Sequence, residues 1–231
     1  MDKLLKQINN KNFFIFLGIL FLFLYLDYPI AYIYSLFKPE VLEKATIIDN
    51  VIVIFIKYLI LIILFFIKYK KYLKEKLFDF KKNYLKYFDI SFKNWLLGFI
   101  IMIISNMIIN SLFSGLGKNE EGVQTIIREV PILAFLLTTI GAPFIEEMIF
   151  RKYLQDSINN KTIYILLSGF IFGFVHVFGF NNFLEYLLII PYGALGCMFA
   201  KTINETDNIY STIIMHMLHN GVLTLLAIQV I

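Results

Sequence analysis

Residues 131–152 read PILAFLLTTIGAPFIEEMIFRK, an apolar run that carries Glu146, Glu147 and Arg151 in its second half. A spanning helix needs about 20 apolar residues, and runs near that length recur along the whole chain. A charged side chain at bilayer depth costs from about 3 to more than 10 kcal/mol, so residues placed there are functional suspects. Two adjacent carboxylates are harder to tolerate than one. The three histidines of the chain, His176, His216 and His219, also fall in later apolar stretches. The rare ionisable groups therefore collect where lipid should least admit them.

The chain has 231 residues, of which 59% are hydrophobic, and a mean hydropathy of +0.74. It has too few polar groups to cover a soluble globule. The expected fold is all-α, a polytopic transmembrane bundle of about seven spans at 13–36, 47–67, 95–113, 131–152, 163–180, 183–200 and 209–231. The first run is too long for a signal-peptide core and lacks a small-residue cleavage site, so it is expected to be retained. Cys197 is the sole cysteine, which excludes an intrachain disulfide and a cysteine metal cluster. No repeat, phosphate-binding glycine loop or nucleic-acid-binding surface is present.

Lysine and arginine set the expected orientation. With the N-terminus inside, sixteen of them lie in cytoplasmic segments, including Lys3, Lys6, Lys11, Lys161 and Lys201. Four, Lys38, Lys44, Lys118 and Arg128, lie in outer loops, and Lys57 falls within a span. The positive-inside rule then places the chain in the cell membrane with a cytoplasmic N-terminus. Residues 1–130 form an N-terminal unit and residues 131–231 a core that carries the chemistry. Between the second and third spans, residues 68–94 hold nine lysines. Leu73, Leu77, Phe80, Tyr84 and Phe88 recur there at spacings of three and four. This pattern predicts a basic amphipathic helix on the anionic inner leaflet.

The spacing inside the acidic motif separates its members. Glu147 and Arg151 are four apart and pair on one helix face. Glu146 points about 100° away and has only Phe150 four residues on. Pro143, with Gly141, predicts a break that starts a half-helix and places Glu146 in its first turn. His176 follows in Phe172-Gly-Phe-Val-His176, on the face of Phe172. It lies as far beyond the turn near Asn160 as Glu146 lies before it, so a helical hairpin sets the two at one depth. In His216-Met-Leu-His219-Asn220, the first and last residues share a face and could donate two hydrogen bonds to an oxyanion. His219 lies off that face. Gly169, Gly173, Gly193 and Gly196 suit close helix packing, and Pro191 predicts a kink. With no placed Ser or Cys nucleophile, water is the natural nucleophile and hydrolysis the natural reaction.

Glu-Glu-x-x-x-Arg, Phe-x-x-x-His and His-x-x-x-Asn, in this order on successive hydrophobic helices, resemble the CPBP family. These are the CAAX proteases and bacteriocin-processing enzymes, also called Abi or Rce1-like, and the likeness covers residues 140–225. The resemblance implies that Glu146 activates water with His176. It implies that His216 and Asn220 form an oxyanion hole, with Glu147, Arg151 and Phe172 in support. It implies no cofactor and a peptide or membrane-protein substrate met in the lipid bilayer. Prenylated CAAX substrates are the eukaryotic and archaeal association; a bacterial member would take peptide precursors, pheromones or membrane-protein tails. Two other readings stand beside it. Two histidines and a glutamate can bind catalytic zinc, although no His-x-x-x-His pair is present. A non-catalytic immunity or scaffolding protein would bind a bacteriocin or signalling partner instead.

Overall fold

The computed structural model describes residues 8–112, 118–178 and 183–230. Lys3, Lys6 and the span ends placed at Phe113, Phe180 and Ile231 lie outside the described residues, as does the side chain of Lys118. Helix α1 (Asn10–Tyr25) starts at Asn9, whose side chain accepts from the Asn12 N–H, as an N-cap should. Helix α2 (Asp27–Phe37) continues it across a 42° bend, so the pair reads as one broken span. A 3-10 turn (Pro39–Leu42) leads to α3 (Ile47–Leu112), 66 residues long with non-helical dihedrals at Asn83. Helix α4 (Lys118–Glu129) precedes a helix over Pro131–Tyr153. That helix has four sections: α5 (Pro131–Leu136), a π turn (Leu137–Gly141), α6 (Ala142–Glu147) and a second π turn (Met148–Tyr153). Helix α7 (Lys161–Val177), a 3-10 turn (Phe183–Leu188), α8 (Ile189–Thr206) and α9 (Ile209–Val230) complete the chain.

All seven expected ranges are helical where they are described, apart from Leu26 at the bend and Phe178 past the end of α7. Among the described residues four helices are long and apolar enough to cross a membrane, or five if the bent pair counts as one. The long helix α3 is one of these although it contains two of the expected ranges, and α7 is 17 residues long. The protein is an all-helical, multi-pass membrane protein.

The two arms of α3 run in opposite senses. Along the first arm, Tyr58 lies against Gly141, Phe65 meets Phe144 and Tyr153, and Tyr69 donates to Asp156 at 2.8 Å. It therefore runs parallel to the helix at 131–153. Along the second arm, Asn94 bonds Thr202 and Glu205, Gly98 abuts Met198, and Ile109 clusters with Leu188. That order is antiparallel to α8, so the kink at Asn83 reverses the chain. The basic segment 68–94 is thus an extension of both spans, not a separate surface helix. Leu73 and Tyr87 are buried, whereas Leu77, Tyr84 and Phe88 are exposed. The cause is Asp79, which accepts from Asn208 and Tyr87 at 2.8 Å each and ties the turning point to the α8–α9 connection. At this lysine-rich end, Lys68 and Lys152 lie over the rings of Tyr69, Tyr72 and Tyr153, the tyrosine–lysine girdle typical of a membrane interface.

Helices α7 and α8 pack backbone to backbone through the four expected glycines. A Cβ on Gly169 would stand 2.7 Å from the Gly193 carbonyl oxygen, and one on Gly173 would stand 2.5 Å from that of Ile189. Pro191 does not kink the sixth span. It is the third residue of α8, where the missing N–H is one of those without an intrahelical partner anyway. Gly169→Ala is expected to lower stability by about 1–3 kcal/mol through overpacking, read as an earlier thermal unfolding of the purified protein.

Candidate active site

Pro143 shapes the backbone that carries the carboxylates. The chain stays helical through it, and Gly141 and Ala142 keep right-handed helical dihedrals. The expected break is absent because the π turn before Pro143 widens the coil enough to admit its ring. Glu146 accordingly lies inside a continuous helix, not in the first turn of a new one. The widening leaves one carbonyl without an intrahelical donor. The Ala142 N–H is bonded to Leu137, and residue 143, the next donor in π register, is proline and has no N–H. The Thr138 carbonyl is therefore free, and Asn220 Nδ2 donates to it at 3.0 Å. Below it, Thr138 Oγ1 and Thr224 Oγ1 approach to 3.0 Å, which fastens α9 to the same turn.

Glu147 is fully buried. Its Oε2 stands 3.2 Å from Arg151 Nε, an ion pair that falls short of hydrogen-bond alignment. Its Oε1 lies 3.0 Å from His216 Nδ1. Arg151, also fully buried, donates from Nη1 to Ser168 Oγ at 3.1 Å, and Ser168 in turn donates to the Phe150 carbonyl at 2.8 Å. The guanidinium faces the rings of Phe172 and Phe199, 4.8 and 5.7 Å from their centroids, where cation–π attraction offsets lost hydration. The i, i+4 pair that the spacing implies is present, and His216 joins it as a third member.

Glu146 stands apart from this network. Its side chain is 12% exposed, its Oε2 is 3.8 Å from His216 Nε2, and no described residue donates a hydrogen bond to it. His176 Nδ1 lies 2.8 Å from the Phe172 carbonyl, so that nitrogen carries hydrogen and Nε2 is left as an acceptor. The ring stacks on Tyr192 at 4.6 Å and packs at a tilt against Phe172 at 4.4 Å. His216 stacks on Phe199 at 5.0 Å. Phe172 touches Arg151, His176 and His216 at once.

The structure thus gathers Glu146, Glu147, Arg151, Phe172, His176 and His216 round one point, and Asn220 is anchored one helical turn beyond His216. His219 turns away. Trp95 Nε1 donates to its Nδ1 at 3.3 Å, and Trp95 and Phe99 pack edge-on against the ring. Ser168, Phe199 and Tyr192 are contacts the sequence reading missed. Nothing in the spacing of Phe199 or Tyr192 marks them, whereas Ser168 is a lone hydroxyl in an apolar helix and could have been flagged. Among the described residues no three His, Cys, Asp or Glu side chains are disposed to hold a metal ion.

Comparison with known proteins finds a family model and several relatives. Residues 128–222 match the family model described as type II CAAX prenyl endopeptidase Rce1-like. The chain is 29% identical over 171 residues to the UPF0177 protein YxdF of Lactococcus lactis, covering 68% of this chain and 86% of that protein. It is 31% identical over 141 residues to the putative membrane peptidase YdiL of Bacillus subtilis, covering 57% of this chain. It is 27% identical over 137 residues to the membrane-embedded CAAX protease MroQ of Staphylococcus aureus, covering 54% of this chain. The chain spans about half the length, 54%, of each of the latter two. No solved structure matches. Over residues 128–222 the chain is thus similar to the Rce1-like CAAX prenyl endopeptidases, and two of the relatives carry the name of a membrane peptidase or protease.

The two carboxylates should respond differently to substitution. Glu147→Gln leaves Arg151 uncompensated in the interior and is expected to cost about 3–5 kcal/mol. Glu146→Gln breaks no hydrogen bond and should unfold at the wild-type temperature. Thermal unfolding and membrane yield of the two variants measure the contrast.

Proposed function

We propose that this chain hydrolyses a peptide bond of a membrane-associated peptide or protein, using water activated by Glu146 and His176. The observation that supports this most is the division between adjacent carboxylates. Glu147 is occupied by Arg151 and His216, whereas Glu146 accepts no hydrogen bond from a described residue and keeps some exposure. A general base must reach its water directly, and Glu146 is the carboxylate free to do so.

In this scheme a water donates one hydrogen to Glu146 and the other to Nε2 of His176, which turns a lone pair toward the scissile carbonyl. As the new oxygen–carbon bond forms, a proton passes to Glu146 and the carbonyl π electrons move onto its oxygen. His216, held by Glu147 through Nδ1, donates to that oxygen from Nε2. Asn220 keeps a second amide hydrogen beyond the one given to Thr138. Two such donors stabilise an oxyanion. Collapse breaks the carbon–nitrogen bond, and Glu146 returns its proton to the departing amine. No cofactor enters this scheme.

The substrates we propose are peptide precursors, such as pheromones or bacteriocins, or membrane-protein tails; a role in bacteriocin self-immunity would use the same hydrolysis. We further propose that the lysine-rich end faces the cytoplasm, with the N-terminus inside the cell membrane. The lysine asymmetry favours this orientation.

The scheme is tested by turnover of a membrane-peptide substrate by the purified chain. Glu146→Gln should abolish hydrolysis. Asn220→Ala should lower kcat about 100–1,000-fold with KM little changed, because an oxyanion donor acts only as charge develops. Chelators should leave wild-type activity intact; a zinc mechanism would instead lose metal and activity together in His216→Ala. His219→Ala, which unpairs Trp95, should lose stability and keep most of its turnover.

A further inference from the structure

Two lysines on the first arm of α3 that stand near aromatic rings have carboxylates as well. Lys57, inside the span, has Asp27 Oδ2 at 2.6 Å, and Lys76 has Asp207 Oδ2 at 2.7 Å. Lys68, between them at the girdle, differs. Its ammonium lies 4.8 Å from the ring centroid of Tyr69 and 4.2 Å from that of Tyr153, and no described residue accepts a hydrogen bond from it. The carboxylate that could serve, Asp156, is already engaged on both oxygens. Lys152 donates to its Oδ1 at 2.7 Å, and the Tyr69 hydroxyl donates to its Oδ2 at 2.8 Å.

Donors therefore outnumber acceptors at this corner. Lys152 lies 4.3 Å from the Tyr72 centroid and 5.5 Å from that of Tyr69, so two ammoniums share one ring. Its side chain is only 14% exposed. The hydroxyl of Tyr153, whose ring lies under Lys68, likewise bonds no described residue. Lys68, Lys76 and Lys152 meet Asp156 and Asp207, which leaves one positive charge over. Like charges gathered in a partly buried place repel, and an anion set among them relieves that repulsion. The residues just before Lys68 show where the anion would come from. Phe66 and Ile67 are 48% and 77% exposed, and in a membrane protein such side chains face lipid.

We propose that Lys68, Lys152 and Tyr153 bind the phosphate of an anionic phospholipid at the membrane interface. Lysines hold phosphate as point charges through charge-assisted hydrogen bonds, and basic pockets between spans recognise such headgroups. A phosphoglycerol headgroup carries one negative charge, which matches the surplus. A phosphocholine headgroup adds a cation of its own and leaves the surplus unbalanced. The bound lipid joins the first arm of α3 to the end of the acidic helix. It also lies beside α1, whose Asn12 donates to the Asp156 carbonyl at 2.8 Å. The proposal is independent of the hydrolytic reading.

The test titrates the purified chain in detergent with phosphatidylglycerol, phosphatidylcholine or inorganic phosphate. Native mass spectrometry reads bound lipid, and thermal unfolding reads stability. Phosphatidylglycerol is expected to bind and to raise the unfolding temperature, with the other two doing neither. Lys68→Gln breaks no hydrogen bond to a described residue, so without lipid it should unfold with the wild type. It should weaken phosphatidylglycerol binding about 10-fold, the effect of losing one hydrogen bond to a charged group. Tyr153→Phe should weaken it to a smaller extent. Lys82→Gln removes the same charge from the exposed turn of α3, where the ammonium lies 4.4 Å from the Phe78 centroid, and should bind as the wild type does. Equal losses in Lys68→Gln and Lys82→Gln mean diffuse attraction to a basic surface and overturn the site. So does binding that survives both Lys68→Gln and Tyr153→Phe. Phosphatidylcholine bound as tightly overturns the charge argument and the proposal with it. Stabilisation by inorganic phosphate without binding of phosphatidylglycerol overturns the lipid as the ligand.

Discussion

Glu147 is the constraint round which the rest of the molecule is arranged. A carboxylate with no exposure has lost the water that would stabilise its charge, at an effective cost of several kcal/mol. Arg151 from the same helix and His216 from α9 replace that water. Arg151 imposes a further demand, met by Ser168 on α7 and by the faces of Phe172 and Phe199. One buried charge thus fixes the relative positions of the helix at 131–153, α7, α8 and α9. The polar centre is small, but it accounts for why those four helices pack in this arrangement and not as interchangeable apolar rods.

The π turns make that arrangement possible. Each withdraws backbone carbonyls from the regular ladder, and a carbonyl in an apolar interior must find a donor elsewhere. Thr138 finds Asn220, Phe150 finds Ser168, and Arg151 finds Tyr164 at 3.4 Å. All three donors come from neighbouring helices, Asn220 from α9 and Ser168 and Tyr164 from α7. The irregular backbone therefore serves as a set of docking points, and the residues it fixes are the ones that flank the candidate chemistry. This is the usual association of π turns with functional sites, here with a traceable cause in Pro143. Asn220 has two tasks as a result, because the amide group that can meet an oxyanion also caps the carbonyl that proline leaves unbonded.

The sequence showed the parts of this design that depend on local periodicity. Helical spacing showed Glu147 paired with Arg151 and Glu146 unpaired, and the apolar runs showed the helices. What it could not show was the partner of Glu147 on α9, because a contact between residues 147 and 216 has no local signature. Pro143 was read as a break, since proline in a helix interior normally removes a bond; the π turn absorbs it. The basic segment 68–94 was read as one amphipathic face, but Asn83 bends the chain, so the stripe on one side of the bend does not continue on the other. The partnership of Lys57 with Asp27 was within reach, as two opposite charges in neighbouring spans, yet their pairing needed the fold to be seen.

The N-terminal helices take part in the site's surroundings and do more than anchor it. Their residues Phe16, Leu61 and Phe65 belong to the same hydrophobic core as Ile145, Met148 and Phe150, so the core runs across the division at residue 130. The first arm of α3 lies along the acidic helix over the stretch where that helix departs from α geometry. It fills the groove left at Gly141, which has no side chain to exclude it. A regular helix with alanine at position 141 would push Tyr58 away and separate the two halves at the depth of Glu146. The absence of a side chain at Gly141 and the widened coil before Pro143 thus act together. One admits the neighbouring helix, the other anchors α9, and between them the Glu146 side chain is left 12% exposed.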